Sequence, residues 1–244
     1  MKIFSIAEIG SNWEGSLAIG KKIIKKCKDA GADAVKFQMW RAEDLYPSHP
    51  LLKQIKKTEL SPKTAAKFKK FADEIGIGFF CSVFYPEAVD FLQSLNVKQY
   101  KIASRTCILK DPLSLETLSA VNKTRKPVIV SMGMGGNRKF IEKTLSKNKT
   151  TFCYCISDYP LKIQNMNWGK ALKYTGLSDH TLGISVPILF AGLMKLNHQK
   201  KVIIEKHVKL TDSKSLDAST SLDISQFKIM NQALRNIEQI KKLS

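Results

Sequence analysis

Residues Gly176-Leu177-Ser178-Asp179-His180 are followed by the apolar stretch Ile184 to Met194 and then by Val202-Ile203-Ile204-Glu205-Lys206-His207-Val208. The first and last runs are short, bounded by turn residues and rich in strand formers. The middle is long enough for a helix. The order strand, helix, strand is one parallel crossover unit. The same alternation extends outward in both directions. Further strand candidates are Ile3–Ile9, Ala34–Gln38, Gly78–Phe84, Gln99–Ser104, Pro127–Met132 and Thr151–Ser157, with amphipathic segments between them. Pro86 and Pro112 suit first helical turns, with Asp111 as an N-cap. The last helix repeats Phe227, Met230, Leu234 and Ile237 at helical spacing. Eight β units, each followed by a helix, predict an α/β protein of the (β/α)8 TIM-barrel type rather than an open sheet. No linker or composition break divides residues 1–244, so one barrel domain is expected, ending with the eighth helix.

Composition narrows the class. A chain of 244 residues with 43% apolar residues is ordinary for one such barrel and is not a disordered composition. Cys27, Cys81, Cys107, Cys153 and Cys155 are odd in number and irregular in spacing, which is no disulfide framework, and no Cys/His pairs sit at zinc spacing. Buried, reduced thiols and a reducing compartment are expected. Glu8 interrupts any signal-peptide core, and Ile184–Met194 is too short to span a bilayer, so a cytoplasmic protein with no membrane partner is expected. The formal net charge is +19. Lys21, Lys22, Lys25, Lys26 and Lys28 lie on one helix whose Leu17, Ile24 and Cys27 point elsewhere, which reads as a solvated face. No basic stripe interleaved with aromatics suggests nucleic acid, although a positive field gathers anionic substrates.

The strands carry polar groups that a core does not need. Barrel strands alternate between the lumen and the helices, and an unpaired charge in either place is costly. Yet Glu8 ends the first strand. Lys36 and Gln38 share a face of the second, Ser82 lies in the third, and Lys101 and Ser104 in the fourth. Ser131 ends the fifth and Ser157 the sixth. Ser178 and His180 share a face of the seventh, and Glu205 and His207 a face of the eighth. Each alone reads as a paired core lysine or a satisfied core histidine. Together, at strand ends, they outline the rim where barrel active sites form. Two lysines with Ser82, Ser104, Ser131 and Ser178 suit phosphate and carboxylate oxygens. The turn Gly133-Met134-Gly135-Gly136 before a helix can aim amides at an anion. His180 and His207, from adjacent strands, can share a metal of the Mn²⁺, Fe²⁺ or Zn²⁺ kind. Glu8 can serve as an acid or base, or orient a metal-bound water.

At this point the chain resembles the N-acetylneuraminate (sialic acid) synthase family along nearly its whole length. The carrying segments are Ala7–Asn12, Gly31–Gln38, Tyr100–Ser104, Lys126–Met134, Gly176–Gly183 and Glu205–His207, with Ser178-Asp179-His180-Thr181-Leu182-Gly183 the most distinctive. The resemblance implies condensation of phosphoenolpyruvate with an open-chain N-acetyl-aminosugar and release of phosphate. It implies that Lys36, Ser82, Lys101, Ser104, Ser131 and Ser178 hold phosphoenolpyruvate. His180 and His207 would hold Mn²⁺, Glu8 matches the family's active-site glutamate, and Gln38, Ser157, Tyr159 and Asp217 lie at sugar-facing positions.

The departures cluster on the sugar side. Asn12-Trp13-Glu14-Gly15 stands where the family has Asn-His-Xaa-Gly. Ser104-Arg105-Thr106-Cys107 lacks the family's acidic residue, Ser157 replaces an asparagine, and Lys214-Ser215-Leu216-Asp217 replaces Pro-Gly-Pro-Asp. The loop after the second strand is short, and no C-terminal antifreeze-like domain is expected. These changes imply a different aldose or amino-sugar acceptor, and a homodimer or a separate partner chain to replace that domain. The competing expectation is a non-catalytic relative that binds a phosphosugar or an assembly partner.

Overall fold

A computed structural model describes residues 1–241. The strands are β1 (Lys2–Glu8), β2 (Ala34–Met39), β3 (Gly78–Val83), β4 (Tyr100–Ile102), β5 (Val128–Ser131), β6 (Thr150–Tyr154), β7 (Gly176–Asp179) and β8 (Lys201–Lys209). Each pairs in parallel with the next, and β1 also pairs along its whole length with β8, from Lys2↔Lys201 to Glu8↔His207. That pairing closes the sheet into a (β/α)8 barrel. A two-residue strand, β9 (Leu222–Asp223), extends the end of β8 in parallel and draws the intervening loop over the barrel rim.

Local chemistry explains the helices. Ser16 caps Leu17–Asp29 by accepting from the Ile19 amide, and Ser61 caps Pro62–Glu74 with Pro62 in the first turn. Helix Leu17–Asp29 buries Ile23, Ile24 and Cys27, while Lys22, Lys25, Lys26 and Lys28 remain exposed. Helix Ile224–Gln239 buries Phe227, Met230, Leu234 and Ile237, the stripe read from the sequence. Pro86 opens helix Pro86–Ser94. Asp111 and Pro112 behave otherwise. Helix Ser114–Thr124 starts beyond both, and Leu113 occupies the cap position. The Asp111 carboxylate is instead held by Arg105, 2.6 Å from its Nη2. A bidentate guanidinium is a stronger partner than an amide at a helix start.

The layers set the position of the site. Ile6, Ala34, Phe80, Ile129, Cys153 and Ile203 fill the lower lumen as an apolar floor. Two residues further along the same strands, on the same lumen face, stand Glu8, Lys36, Ser82, Ser131, Cys155 and Glu205. Between these positions the strands point outward, and Phe37 stacks on Phe68 of the Pro62–Glu74 helix with centroids 4.7 Å apart. All five cysteines are buried and unpaired. Among the described residues no helix is long and apolar enough to cross a membrane.

Candidate active site

Above the apolar floor a cavity of about 500 Å³ opens at the C-terminal end of the strands. It is lined by every side chain singled out from the sequence: Glu8, Lys36, Gln38, Ser82, Lys101, Ser104, Ser131, Ser157, Tyr159, Ser178, His180, His207 and Asp217. The register brings them together. Glu8 pairs with Lys36 and with His207, Gln38 with Ser82, Ser82 with Lys101, and Ser178 with Glu205.

Glu205 lies at the centre of the network, although the sequence reading placed it on the rim without giving it a role. Its carboxylate takes Lys101 Nζ at 2.8 and 2.7 Å and Ser178 Oγ at 2.8 Å, with Lys36 Nζ 3.8 Å away. Lys36 also pairs with Glu8 and donates to Ser82 Oγ at 2.9 Å, while Gln38 Nε2 donates to Glu8 Oε1 at 2.8 Å. The sequence signal for Glu205 was its place on the His207 face of β8. Its partners lie 104 and 27 residues away, so spacing alone could not assign them.

The two carboxyls end on opposite sides of their ordinary value. For Glu8, burial with Glu205 nearby outweighs the Lys36 ammonium and holds the carboxyl above its usual range. For Glu205, burial works in the same direction, but Lys101 and Lys36 overcome it and hold the group at about 2. A carboxyl held below its unfolded value contributes stability that is full above that value and is lost as pH falls through the folded one. Wild-type stability is therefore expected to lose this contribution between about pH 4.5 and about pH 2. Glu205→Gln should remove that part of the slope, which urea midpoints measured across this range would check.

The histidines sit side by side with ring centroids 5.6 Å apart. Ile156 O lies 2.7 Å from His180 Nδ1, so a proton sits on Nδ1 and Nε2 is the acceptor or ligand atom of the neutral ring. The lowering by burial is outweighed by Cys155 beside the ring, which raises the imidazole above its ordinary value. His207 Nδ1 is buried without a hydrogen-bond partner, and so is Ser131 Oγ. Burial, with His180 and Lys36 nearby, pulls His207 down to about 4, so its imidazole is neutral at ordinary pH, as a metal ligand must be. Buried polar atoms without a partner call for an explanation, of which a bound water or ion is one. Among the described residues no three His, Cys, Asp or Glu side chains form a complete metal cage. A metal at this place would have the two imidazoles as its protein ligands and would leave its other positions to water or substrate.

Two glycines leave room for this arrangement. Gly10 has φ +51°, and a Cβ there would lie 2.4 Å from Asp217 Oδ2. The turn lets the Ser11 amide and hydroxyl both donate to that oxygen at 2.7 Å, which anchors the loop after β8 over the cavity. A Cβ on Gly133 would lie 2.8 Å from Cys155 Sγ and from Ser157 Oγ. The glycine turn departs from the anion-cradle expectation in one respect. The Gly133 amide is already used, donating to Ser104 Oγ at 2.8 Å, and the next helix begins only at Arg138, capped by Asn137. Ser104 itself starts the short helix Ser104–Cys107 rather than ending β4. Trp40, Tyr46, His49, Arg105 and Lys110 line the outer cavity, a wall that the sequence reading did not assemble.

Comparison with known proteins identifies the family and matches the barrel fold. A model of the NeuB family matches residues 23–243. An uncharacterised protein of Methanocaldococcus jannaschii is 36% identical, over 97% of this chain and 71% of its own length. A pseudaminic acid synthase of Campylobacter jejuni is 32% identical, over 97% of this chain and 74% of its own. The crystal structure of an N-acetylneuraminic acid (sialic acid) synthetase from Leptospira borgpetersenii, in complex with citrate, superposes with a TM-score of 0.85 at 25% identity. It covers 100% of this chain and 87% of that one. The chain belongs to the NeuB family and is a sialic acid synthase-like enzyme built on a (β/α)8 barrel.

Proposed function

We propose that the chain joins phosphoenolpyruvate to the aldehyde of an open-chain aldose or N-acetyl-aminosugar, giving a sialic-acid-like 3-deoxy-ulosonic acid and inorganic phosphate. The observation that carries this reading is one cavity holding two buried lysines, four serine hydroxyls and two adjacent histidines. Lys36, Lys101, Ser82, Ser104, Ser131 and Ser178 supply the donors that a phosphate and a carboxylate require. The unpartnered Ser131 hydroxyl is free to take up such an oxygen. Both ammonium groups are balanced by carboxylates before substrate enters, Lys36 by Glu8 and Lys101 by Glu205. The substrate anion competes with those carboxylates, and Glu8, raised by burial, takes up a proton more readily than Glu205.

The reaction balances as phosphoenolpyruvate plus aldehyde plus water giving the ulosonic acid plus phosphate. C3 of the enol attacks the carbonyl carbon and forms the new C–C bond. The positive charge left at C2 is quenched by water, and the C2–O bond to phosphate then breaks. A divalent metal held by His180 and His207, of the Mn²⁺ type, would supply Lewis-acid polarisation of the aldehyde. Glu8 is placed to exchange a proton with the attacking water or the new hydroxyl. Lys36 and Lys101 hold the enol against the aldehyde and neutralise the leaving phosphate. Gln38, Ser157, Tyr159 and Asp217 face the sugar. A site built to bond particular hydroxyls rejects analogues that lack them, so the altered sugar-side residues imply an acceptor of this chain's own.

Phosphate release from phosphoenolpyruvate, measured with Mn²⁺ across a panel of amino-sugars and plain aldoses, tests the reading. Release that depends on one acceptor class supports it. Bound phosphoenolpyruvate with no release for any acceptor leaves a binding protein, and absence of binding overturns the anion site itself.

A further inference from the structure

Behind the two histidines, on the side of the strands that faces the helices, lies an ion pair that the proposed chemistry does not use. Lys206 Nζ meets Asp179 Oδ2 at 2.5 Å, and both side chains are 0% exposed. The residues pair in register across β7 and β8. Each immediately neighbours one histidine, Asp179 before His180 and Lys206 before His207. Both also grip the residue that follows His180. Asp179 accepts from the Thr181 amide and hydroxyl, each at 3.0 Å, and Lys206 Nζ donates to the Thr181 carbonyl. The His180 carbonyl is fixed from elsewhere, by Thr220 Oγ1 at 3.0 Å and the Leu161 amide at 2.9 Å.

Stability does not account for such a pair. Removing two charges from water is so costly that well-packed neutral residues often serve as well or better. The pair does tie the backbone of β7 to that of β8 at the level where their histidines converge. Metal sites depend on such outer partners to hold their ligands in orientation. We propose that Lys206 and Asp179 are positioning residues that set the separation and orientation of His180 and His207 for one shared divalent cation. The inference rests on the metal reading given above.

The test compares wild type, His207→Ala and the neutral double variant Lys206→Met/Asp179→Asn, which keeps an acceptor for the Thr181 amide. Free Mn²⁺ is followed by electron paramagnetic resonance. Phosphoenolpyruvate affinity without metal and the thermal midpoint are measured beside it. The expected result for the double variant is Mn²⁺ affinity weakened about 10- to 100-fold, with phosphoenolpyruvate affinity and midpoint close to wild type. Unchanged Mn²⁺ affinity in the folded double variant overturns the positioning role alone. No Mn²⁺ binding by wild type, or binding that survives in His207→Ala, overturns the metal reading and the inference with it. If the double variant does not fold, Thr181→Val, which deletes one hydroxyl bond of the cluster, serves in its place. A weaker Mn²⁺ affinity is expected there too, and wild-type affinity would overturn the proposal.

Discussion

Lys101→Met is expected to cost the protein about 3–5 kcal/mol of stability and to abolish tight phosphoenolpyruvate binding. The two losses have different causes and can be separated. Without the ammonium, the Glu205 carboxylate stays buried at 4% exposure, with Ser178 as its remaining close donor and Lys36 at 3.8 Å. A buried charge stripped of its partner loses its compensation without regaining water, which is why breaking such a pair costs more than the pair itself contributes. In a domain of this size each kcal/mol is about 2–4 °C of midpoint, so a fall on the order of 10 °C is expected in a thermal melt. Adding Glu205→Gln removes the stranded charge. The double variant should recover most of the midpoint, giving a coupling energy well above experimental error in a double-mutant cycle. It should not recover substrate, because the cation that meets the phosphate or carboxylate is still missing. Calorimetric titration with phosphoenolpyruvate would show this. Recovered binding in the double variant would mean that Lys101 serves only to balance Glu205.

That experiment probes the part of the molecule the sequence made hardest to see. The strands were legible because each is a short apolar run ending in turn chemistry, and all eight fall where the pattern put them, with ends shifted by a few residues. The largest shift is in β6, which ends at Tyr154 rather than Ser157, and in β4 Ser104 leaves the strand and opens a helical turn. The two-residue alternation also carried the site. Once Lys36 and Gln38, or Glu205 and His207, are assigned to one strand face, barrel closure brings those faces to a common lumen. What alternation cannot supply is the choice of partner across the barrel. Lys101 lies on β4 and Glu205 on β8, and their bidentate contact depends on stagger and side-chain length together. Asp111 shows the same limit at short range. Its position suited a cap, but Arg105 six residues earlier competes for the same oxygens and wins. The outer wall of Trp40, Tyr46, His49, Arg105 and Lys110 comes from the segments that follow β2 and β4, whose helical turns are too short to show a periodic pattern.

His207→Ala is expected to reduce phosphate release by about three orders of magnitude, equal to about 4 kcal/mol of transition-state stabilisation, while leaving the fold intact. The structural side of this expectation is unusual for a buried residue. His207 is only 6% exposed, yet its Nδ1 has no hydrogen-bond partner, so truncation deletes an unsatisfied polar atom along with some packing. These effects oppose each other, and the midpoint without metal should move little. The imidazole, held at about 4, contributes stability that is full above the unfolded value near 6.5 and is lost as pH falls through the folded one. The variant should therefore lose less stability than wild type on acidification across that window. Metal makes the difference visible at neutral pH. An ion that binds only the folded state adds about 2.7 kcal/mol at a hundredfold excess over its Kd, or about 5–10 °C of midpoint. Wild type should show this rise with Mn²⁺, and His207→Ala should not. A variant that still gains the full shift would place the ion elsewhere, whereas one that loses both the shift and phosphate release ties the ion and the chemistry to the same imidazole.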